Sequence, residues 1–504
     1  MRTAEEAAFA RGITAETLME QAGEGIARAV ARFFPRPGKC LVFAGKGHNA
    51  GDALVAARWL AQWGWQIETR LAFAEKELSP LTSQKLRALR NQESGRGLCA
   101  PIAATPGIGA QRPLPHSQTI ILDGLLGLGA HPPLREPIRG ACREINSLGE
   151  KGAGVVAVDL PSGLDAESGS ADADCVVANF TITVGCAKSG LVADAALDFV
   201  GRLEVVPLDE LRRDELPLVQ GRAEAPPSEV ATPESLRELL PCRRYSAFKN
   251  QFGRIGIVAG SRGFTGAAVM CSLGALRAGA GLVELFVPEE IYEILASTAA
   301  PEVMVKPIKS YTELLEEPID VWAVGPGLGR SRAREILKLM GAAREPVVID
   351  ADGLNILSEN MDTLKRAKGP RLLTPHPGEM KRVFPNEKMS RAEIAKKFCT
   401  KYAVTLLLKG SRTVVAEAGH PLSYNTTGNP GMATGGMGDV LTGVCAALLG
   451  AKIAPYDAAR LGAWLCGRAA ELAISQDEAS EESLLPRDVL DHLGAAFHDL
   501  RERT

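Results

Sequence analysis

The stretch GNPGMATGGMGDVLTG, residues 428–443, places one carboxylate, Asp439, just behind Gly435, Gly436 and Gly438. The segment after it carries apolar residues at helical spacing, Val440, Val444, Ala447 and Leu448, so the glycines precede or begin a helix. The first N–H groups of a helix find no partner in its own ladder. A glycine-rich approach leaves them open to an anion, and amides fixed there can offset charge that builds on a phosphoryl group in transfer. Asp439, in the first turn, can then take the proton of a substrate hydroxyl as that hydroxyl attacks phosphorus. The plainer alternative is an aspartate that caps a helix after a flexible loop.

A second set of polar residues lies in the first half. CLVFAGKGHNAGDALVAARWLAQWG (40–64) reads as a strand, a glycine-rich turn and an amphipathic helix. Gly45 and Gly47 are followed by Gly51, which is not the dinucleotide spacing, yet the turn still gathers backbone N–H groups at a helix N-terminus. His48 and Asn49 add polar tips there. TIILDGLLGLGAHPPL (119–134) ends a strand with Asp123, and GVVAVDLPSGLDAESG (154–169) ends another with Asp159, followed closely by Ser162. Ligands of open α/β sheets bind beyond the carboxyl ends of the strands. One acid at a strand end is often only a cap. Three strand ends delivering Asn49, Asp123, Asp159 and Ser162 to one edge argue for a site.

The elements that must position these residues alternate strand and helix throughout, which predicts parallel sheets with crossover helices. The first half supplies CLVFAG, TIILDG, GVVAVDLP and FTITVG; the second supplies RIGIVAG, LVELFVP, VWAVGPG, PVVIDAD, RLLTPH and VTLLLKG. In the second half Ala267, Ala268 and Gly274 are small enough for close helix approach, AVGPGLGRS forms another glycine-rich turn, and Asp350, Asp352 and Asn355 end a strand. His376 sits between two prolines at a strand end near Glu379, a rigid placement that favours ligand contact over a purely structural histidine. Lys409 opens a β-hairpin turn. Between the halves, LDELRRDELPLVQGRAEAPPSEVATPES is rich in charge and proline, so it reads as a linker with the domain boundary near Gly221. The expected units are 1–221 and 222–504, both α/β.

Composition narrows the function. At 504 residues the chain is long enough for two or three domains, and its net charge of −3 offers no broad basic field for nucleic acid. Ten cysteines are scattered singly with no Cys-x-x-Cys pair, which predicts reduced, mostly buried thiols and a cytoplasmic protein. The N-terminus lacks an apolar core, and no run has the length and apolarity of a membrane span.

At these motifs a resemblance becomes specific. Roughly residues 1–215 resemble the NAD(P)HX epimerases, through LMEQAG, GKGHNAGDALVAAR, LDGLLGLG, VDLPSGLD and TVGCAKSGL in that order. The resemblance implies a Rossmann-like domain, with Asn49, Asp123 and Ser162 as ligands of a potassium ion, a hard cation that suits oxygen donors. It implies Asp159 at the nicotinamide ring as acid and base. The nucleotide is expected along His48, Asn49, Ala50, Gly51 and Asp52 and along Gly127, Leu128, Gly129, Ala130, His131, Pro132 and Pro133. The family's turn usually reads Gly-Asn-Asn-Gly-Gly-Asp-Gly. His48, Ala50 and Ala53 depart from it, and Leu128 stands where threonine is common. Alanine tolerates a left-handed backbone less well than glycine, so the turn is expected to be shifted or to lose a close approach to phosphate.

Roughly residues 228–504 resemble the ADP/ATP-dependent NAD(P)HX dehydratases, a branch of the ribokinase-like superfamily. FKNQFGRIGIVAGS, GAAVMCSLGALRAGAGLV, GPGLG, VIDADGLN, TPHPGE, LKGS and GNPGMATGGMGDVLTG carry it. The resemblance implies nucleotide contacts from Lys409, Gly410, Ser411, Arg412 and Thr413 and from Gly435, Gly436, Met437 and Gly438, Met437 replacing the usual threonine. Ala267, Gly327 and His376 would line the hydrate site with Asp439 as the base, and magnesium would arrive with the phosphates. Together the halves imply repair of hydrated NADH and NADPH with ADP or ATP, in a homo-oligomer. Two rivals are a ribokinase-like vitamin or sugar kinase with an accessory domain, which would stop at the phosphate ester, and a non-catalytic nucleotide sensor. Release of inorganic phosphate separates the first from repair, and any turnover excludes the second.

Overall fold

The computed structural model describes residues 2–94, 119–208, 210, 228–385, 389–476 and 479–502. Backbone contacts divide the chain into two compact units, Met1–Arg222 and Ala223–Thr504.

Among its described residues the N-terminal unit is built on six strands: β1 (Lys39–Ala44), β2 (Gln66–Leu71), β3 (Thr119–Gly124), β4 (Gly154–Val158), β5 (Phe180–Val184) and β6 (Arg202–Val206). They pair in the order β2-β1-β3-β4-β5-β6, all parallel. β1, β3 and β4 are nearly unbroken apolar runs because helices cover both faces of the sheet, and β5 alternates apolar residues with the buried Thr181 and Thr183. β2, with the sequence QIETRL, is an edge strand with no buried residue, so it carries no apolar run by which to recognise it. The strand order reverses between β1 and β3, which opens a crevice beyond their carboxyl ends. Asn49 and Asp123 lie there.

The C-terminal unit carries ten strands: β7 (Glu229–Val230), β8 (Arg254–Val258), β9 (Leu282–Pro288), β10 (Val303–Ile308), β11 (Val321–Val324), β12 (Val347–Ile349), β13 (Arg371–Leu373), β14 (Thr405–Leu408), β15 (Thr413–Ala416) and β16 (Ser423–Asn425). Their order is β10-β9-β8-β11-β12-β13-β14-β15-β16-β7. Pairing is parallel from β10 to β14 and antiparallel through the β14/β15 hairpin and β16. β10, VMVKPI, carries a lysine and a proline, which a sheet tolerates at its edge.

The linker reading is corrected at its C-terminal end. Residues 229 and 230 form β7, which pairs with β16, and Thr232 caps a short helix, Pro233–Arg237. Glu229 also meets Arg460 at 2.8 Å and accepts from the Tyr456 hydroxyl at 3.1 Å.

Two helices meet almost without side chains between them. A Cβ on Gly274, in the helix Thr265–Arg277, would lie 2.5 Å from the carbonyl oxygen of Val440. A Cβ on Gly443, in the helix Met437–Gly450, would lie 2.0 Å from that of Cys271. The close approach expected at Gly274 is therefore reciprocal, and it fixes the second helix against the first. Val440, Val444, Ala447 and Leu448 are all buried, as their spacing requires. Nine described cysteines are free thiols; seven are buried, Cys186 is partly so and Cys242 is exposed, while Cys99 lies outside the described residues. No helix among the described residues is long and apolar enough to cross a membrane.

Candidate functional site

At the N-terminal crevice three expected residues converge. Asp123, at the end of β3, is fully buried and accepts from the Ser162 N–H at 2.8 Å, the Ser162 hydroxyl at 2.7 Å and the Leu125 N–H at 3.2 Å. Asn49 donates to the carbonyl of Leu126 at 2.6 Å, and the Leu126 N–H donates to Ser162 Oγ at 3.0 Å. Burial pushes the Asp123 carboxyl up to about 6, against those three hydrogen bonds. Among the described residues no lysine or arginine pairs with it.

Asp159 follows β4 with φ of 65°, a left-handed backbone that costs a non-glycine residue about 1–3 kcal/mol. Its surroundings fix it there. Oδ1 accepts from the Thr183 hydroxyl at 3.0 Å and the Val184 N–H at 3.1 Å, and also from the ammonium of Lys188. Lys188, itself buried, was not singled out from the sequence. Its signal was present, a lysine four residues beyond a strand end in TVGCAKSG.

The left-handed strain expected at the alanines of the turn is absent. Ala50 and Ala53 lie inside the helix His48–Gln62, and neither has a positive φ. Both are buried, and a Cβ on Gly124 would come within 2.5 Å of the Ala53 methyl, so the glycine across from it makes the room. Gly51 packs on Met19, where a Cβ would sit 2.4 Å from the methyl carbon. His48 is exposed and Asp52 partly so, and these with Asn49 are the polar side chains of the turn. In the loop after β3, Gly127 lies against Asn49, while Leu128 turns inward onto the cluster of Leu160 and Leu164. That apolar contact accounts for leucine in place of threonine. His131, exposed, bonds Asp165 at 2.9 Å. Ser168 N–H, then His131, hold the Asp165 carboxyl below the usual range.

In the C-terminal unit, Gly436 has φ of 98° and caps the helix Met437–Gly450, while Gly435 is exposed and a Cβ on it would meet nothing within 4 Å. The main chain therefore arrives at the helix open to solvent, and the first-turn amides of Gly438 and Asp439 have no acceptor four residues back. Asp439 is pushed up to about 7, first by burial and then by the Asp350 carboxylate, with Lys409 opposing both. Around it stand Asp350, at the end of β12, Lys409, at the end of β14, and Glu379. Lys409 Nζ lies 2.7 Å from Asp350 and 3.8 Å from Glu379. Burial works against the ammonium, but the two carboxylates outweigh it and keep the pKa above the ordinary lysine value.

The expected hydrate-site residues Ala267 and Gly327 touch: Gly327 has φ of 59°, and a Cβ on it would be 2.9 Å from the Ala267 methyl. His376 caps the helix Pro377–Val383; its Nδ1 accepts from the Gly378 N–H at 3.0 Å and the Glu379 N–H at 3.4 Å. Accepting there places the proton of the neutral ring on Nε2. The structural role and an exposed ring coexist, with Nε2 3.5 Å from the Glu379 carboxylate. Of the five hairpin residues, Gly410 and Ser411 are exposed and Thr413 bonds back to Gly410 at 3.1 Å, while Arg412 is buried. Lys409 is different: its side chain leaves the hairpin for Asp350.

Comparison with known proteins assigns the two units separately. A family model described as NAD(P)H-hydrate dehydratase matches residues 255–493, and one described as YjeF-related protein N-terminus matches residues 15–190. The bifunctional NAD(P)H-hydrate repair enzyme Nnr of Moorella thermoacetica is 34% identical over 96% of this chain and 93% of its own. Its namesake in Escherichia coli is 37% identical over 93% of this chain and 87% of its own. Among solved structures, the ADP/ATP-dependent NAD(P)H-hydrate dehydratase of Bacillus subtilis, co-crystallised with ATP and Mg2+, is 30% identical. It covers 55% of this chain and 100% of its own, with a TM-score of 0.49.

Proposed function

The chain belongs to the bifunctional NAD(P)H-hydrate repair enzymes, and from that premise we propose how its two halves divide the work. NADH and NADPH add water across the nicotinamide ring to give R and S hydrates. The half assigned to 1–221 interconverts the epimers. The half assigned to 222–504 dehydrates the S hydrate with ADP or ATP. Each needs the other, because only one epimer is dehydrated.

In the N-terminal half the nucleotide lies along the His48–Asp52 turn and the 127–133 loop. Asp159 moves the proton at the ring, and Lys188, Thr183 and Val184 orient it. Asn49, Asp123 and Ser162 would hold a potassium ion. The fit rests on Asp123, a buried carboxylate with no cationic side chain against it among the described residues. A bound potassium ion would supply the missing positive charge beside the nucleotide.

In the C-terminal half the hydrate lies against Ala267, Gly327 and His376 with its hydroxyl toward Asp439. Asp439 takes the hydroxyl proton as the oxygen bonds to the terminal phosphorus. The bond from that phosphorus to its bridging oxygen breaks, and AMP leaves from ADP, or ADP from ATP. The amides at Gly435, Gly436, Met437 and Gly438 face the transferring group, and the hairpin residues Gly410 to Thr413, beyond Lys409, hold the nucleotide. The ester C–O bond then breaks with its electron pair on the departing phosphate. The neighbouring carbon gives up a proton, and the reduced ring is restored. Magnesium, arriving with the nucleotide, would offset the charge of its phosphates, and a Cβ at Gly435 would meet nothing within 4 Å, so no side chain there would stand in its way.

The observation that carries this reading is Asp439 itself, a carboxylate held at about 7 in the first turn of a glycine-approached helix. The test is the purified chain with an R/S hydrate mixture, potassium and ADP or ATP. Full recovery of reduced-cofactor absorbance with release of inorganic phosphate is expected. Recovery of half would leave the epimerase assignment without support, and a stable phosphate ester would favour the kinase alternative.

A further inference from the structure

We infer that Asp350 is a positioning residue for dehydration: it holds the Lys409 ammonium over the start of the helix Met437–Gly450, so that Lys409 serves the phosphoryl group in transfer and not the nucleotide-holding hairpin. The inference rests on the assignment of Asp439 as the base.

Asp350 is 1% exposed, and its two oxygens are divided between two elements. Oδ1 accepts from Lys409 at 2.7 Å, and Oδ2 accepts from the Thr442 hydroxyl at 2.8 Å. Thr442 belongs to the catalytic helix, one turn beyond Gly438, and its hydroxyl lies 3.0 Å from the Gly438 carbonyl. One carboxylate thus ties β12, the end of β14 and the helix together. The ammonium is pressed against the first turn: a Cβ on Gly438 would come within 3.2 Å of Lys409 Nζ and 3.5 Å of Asp350 Oδ2. The main chain at Asp350 is equally fixed. Ala351, next to it, has φ of 47°, and a Cβ on Gly325 would lie 1.8 Å from the Asp350 carbonyl oxygen.

The physical role follows. Without Asp350, a lysine on its flexible stem would be left to Glu379 and Asp439 alone, and its closing onto Asp439 would quench the base. Bound to Asp350, the same ammonium stays beside Gly438, where negative charge gathers on the phosphoryl oxygens, and Asp439 remains free to take a proton. Asp350 acts only through Lys409 and Thr442.

The test uses the full chain, the purified S hydrate and saturating ADP, with Asp350→Asn and Lys409→Met. Both are expected to lower kcat about 10–100-fold while KM for ADP moves by no more than about threefold. The groups facing Asp439 are Asp350, Lys409, Glu379 and the buried thiol of Cys271. Removing the Asp350 charge moves the acid limb of the kcat/KM profile to lower pH, and removing the Lys409 charge moves it to higher pH. Lys409→Arg keeps the limb where it was. A raised KM for ADP at unchanged kcat in Lys409→Met would return Lys409 to the hairpin and overturn the proposal. Limbs that move in the same direction, or not at all, would overturn it as well. Should Asp350→Asn fail to fold, the Lys409 pair decides alone. Dehydration that survives Asp439→Asn would instead defeat the underlying site assignment, so the two failures are told apart.

Discussion

Both halves of the chain place an aspartate beyond the carboxyl ends of parallel strands and a lysine near it, buried in the first half and partly buried in the second, yet they join the two differently. In the N-terminal half Lys188 bonds Asp159 itself, with Thr183 and Val184 donating to the same oxygen. In the C-terminal half Lys409 bonds Asp350 at 2.7 Å, and Asp439 is left in the field of both. The difference suits the two chemistries. A ring proton that must be removed and returned calls for an acid–base group fixed in one orientation. A hydroxyl that must lose its proton to attack phosphorus calls for a carboxylate with unspent basicity, which burial and a like charge provide.

The strongest way to break this comparison is to remove each acid in turn. Asp439→Asn is expected to lower dehydration by about 10²–10⁴-fold with epimerisation intact, and Asp159→Ala the reverse, measured on purified R and S hydrates. One substitution that silences both reactions in a folded protein would dissolve the division of labour. Next in size is pH. Dehydration requires Asp439 ionised, so below about 7 its kcat/KM should fall about tenfold per unit, a limb absent from any step that does not use Asp439. A third measurement sharpens the N-terminal half alone: exchanging potassium for sodium, or Asp123→Asn, should slow epimerisation about tenfold or more and leave dehydration of the S hydrate unchanged.

The smallest effect concerns stability. The Asp439 carboxyl ionises at about 7 in the folded chain against 3.8 for the ordinary carboxyl. A folded-state value raised in this way makes ionisation a cost to folding, absent below the unfolded value and fully present above pH 7. Asp439→Asn should therefore raise Tm of the C-terminal half by roughly 2–4 °C at pH 8, on the order of 1 kcal/mol, and by less and less as the pH falls toward 3.8, the ordinary carboxyl value.

Much of this was legible in the amino-acid sequence, for particular reasons. β1, β3, β4 and β5, and β8, β9, β11, β12, β13 and β14, are rich in apolar residues because both their faces are covered, with Thr181, Thr183 and Arg371 among the buried exceptions. Edge strands escaped notice because they lack that cover: β2 is polar, β10 contains proline, and β7 has two residues inside a segment that reads as linker. The glycine run announced the helix start because the main chain turns there through a left-handed Gly436 and arrives without side chains. The Asp350–Lys409–Thr442 tie was not legible as a unit, since its members lie 59 and 92 residues apart and meet only through sheet order. Ala50 and Ala53 misled in the other direction. Judged as turn residues they looked strained, but the helix begins earlier and takes them in.

β7 has a consequence for anyone who wants the two activities in separate polypeptides. Glu229 and Val230 are stitched to β16, and Glu229 is also anchored to Arg460 and Tyr456. A dehydratase expressed alone should therefore begin ahead of Glu229. A version trimmed to the first long strand at Arg254 would bare the outer rim of its sheet and invite clumping.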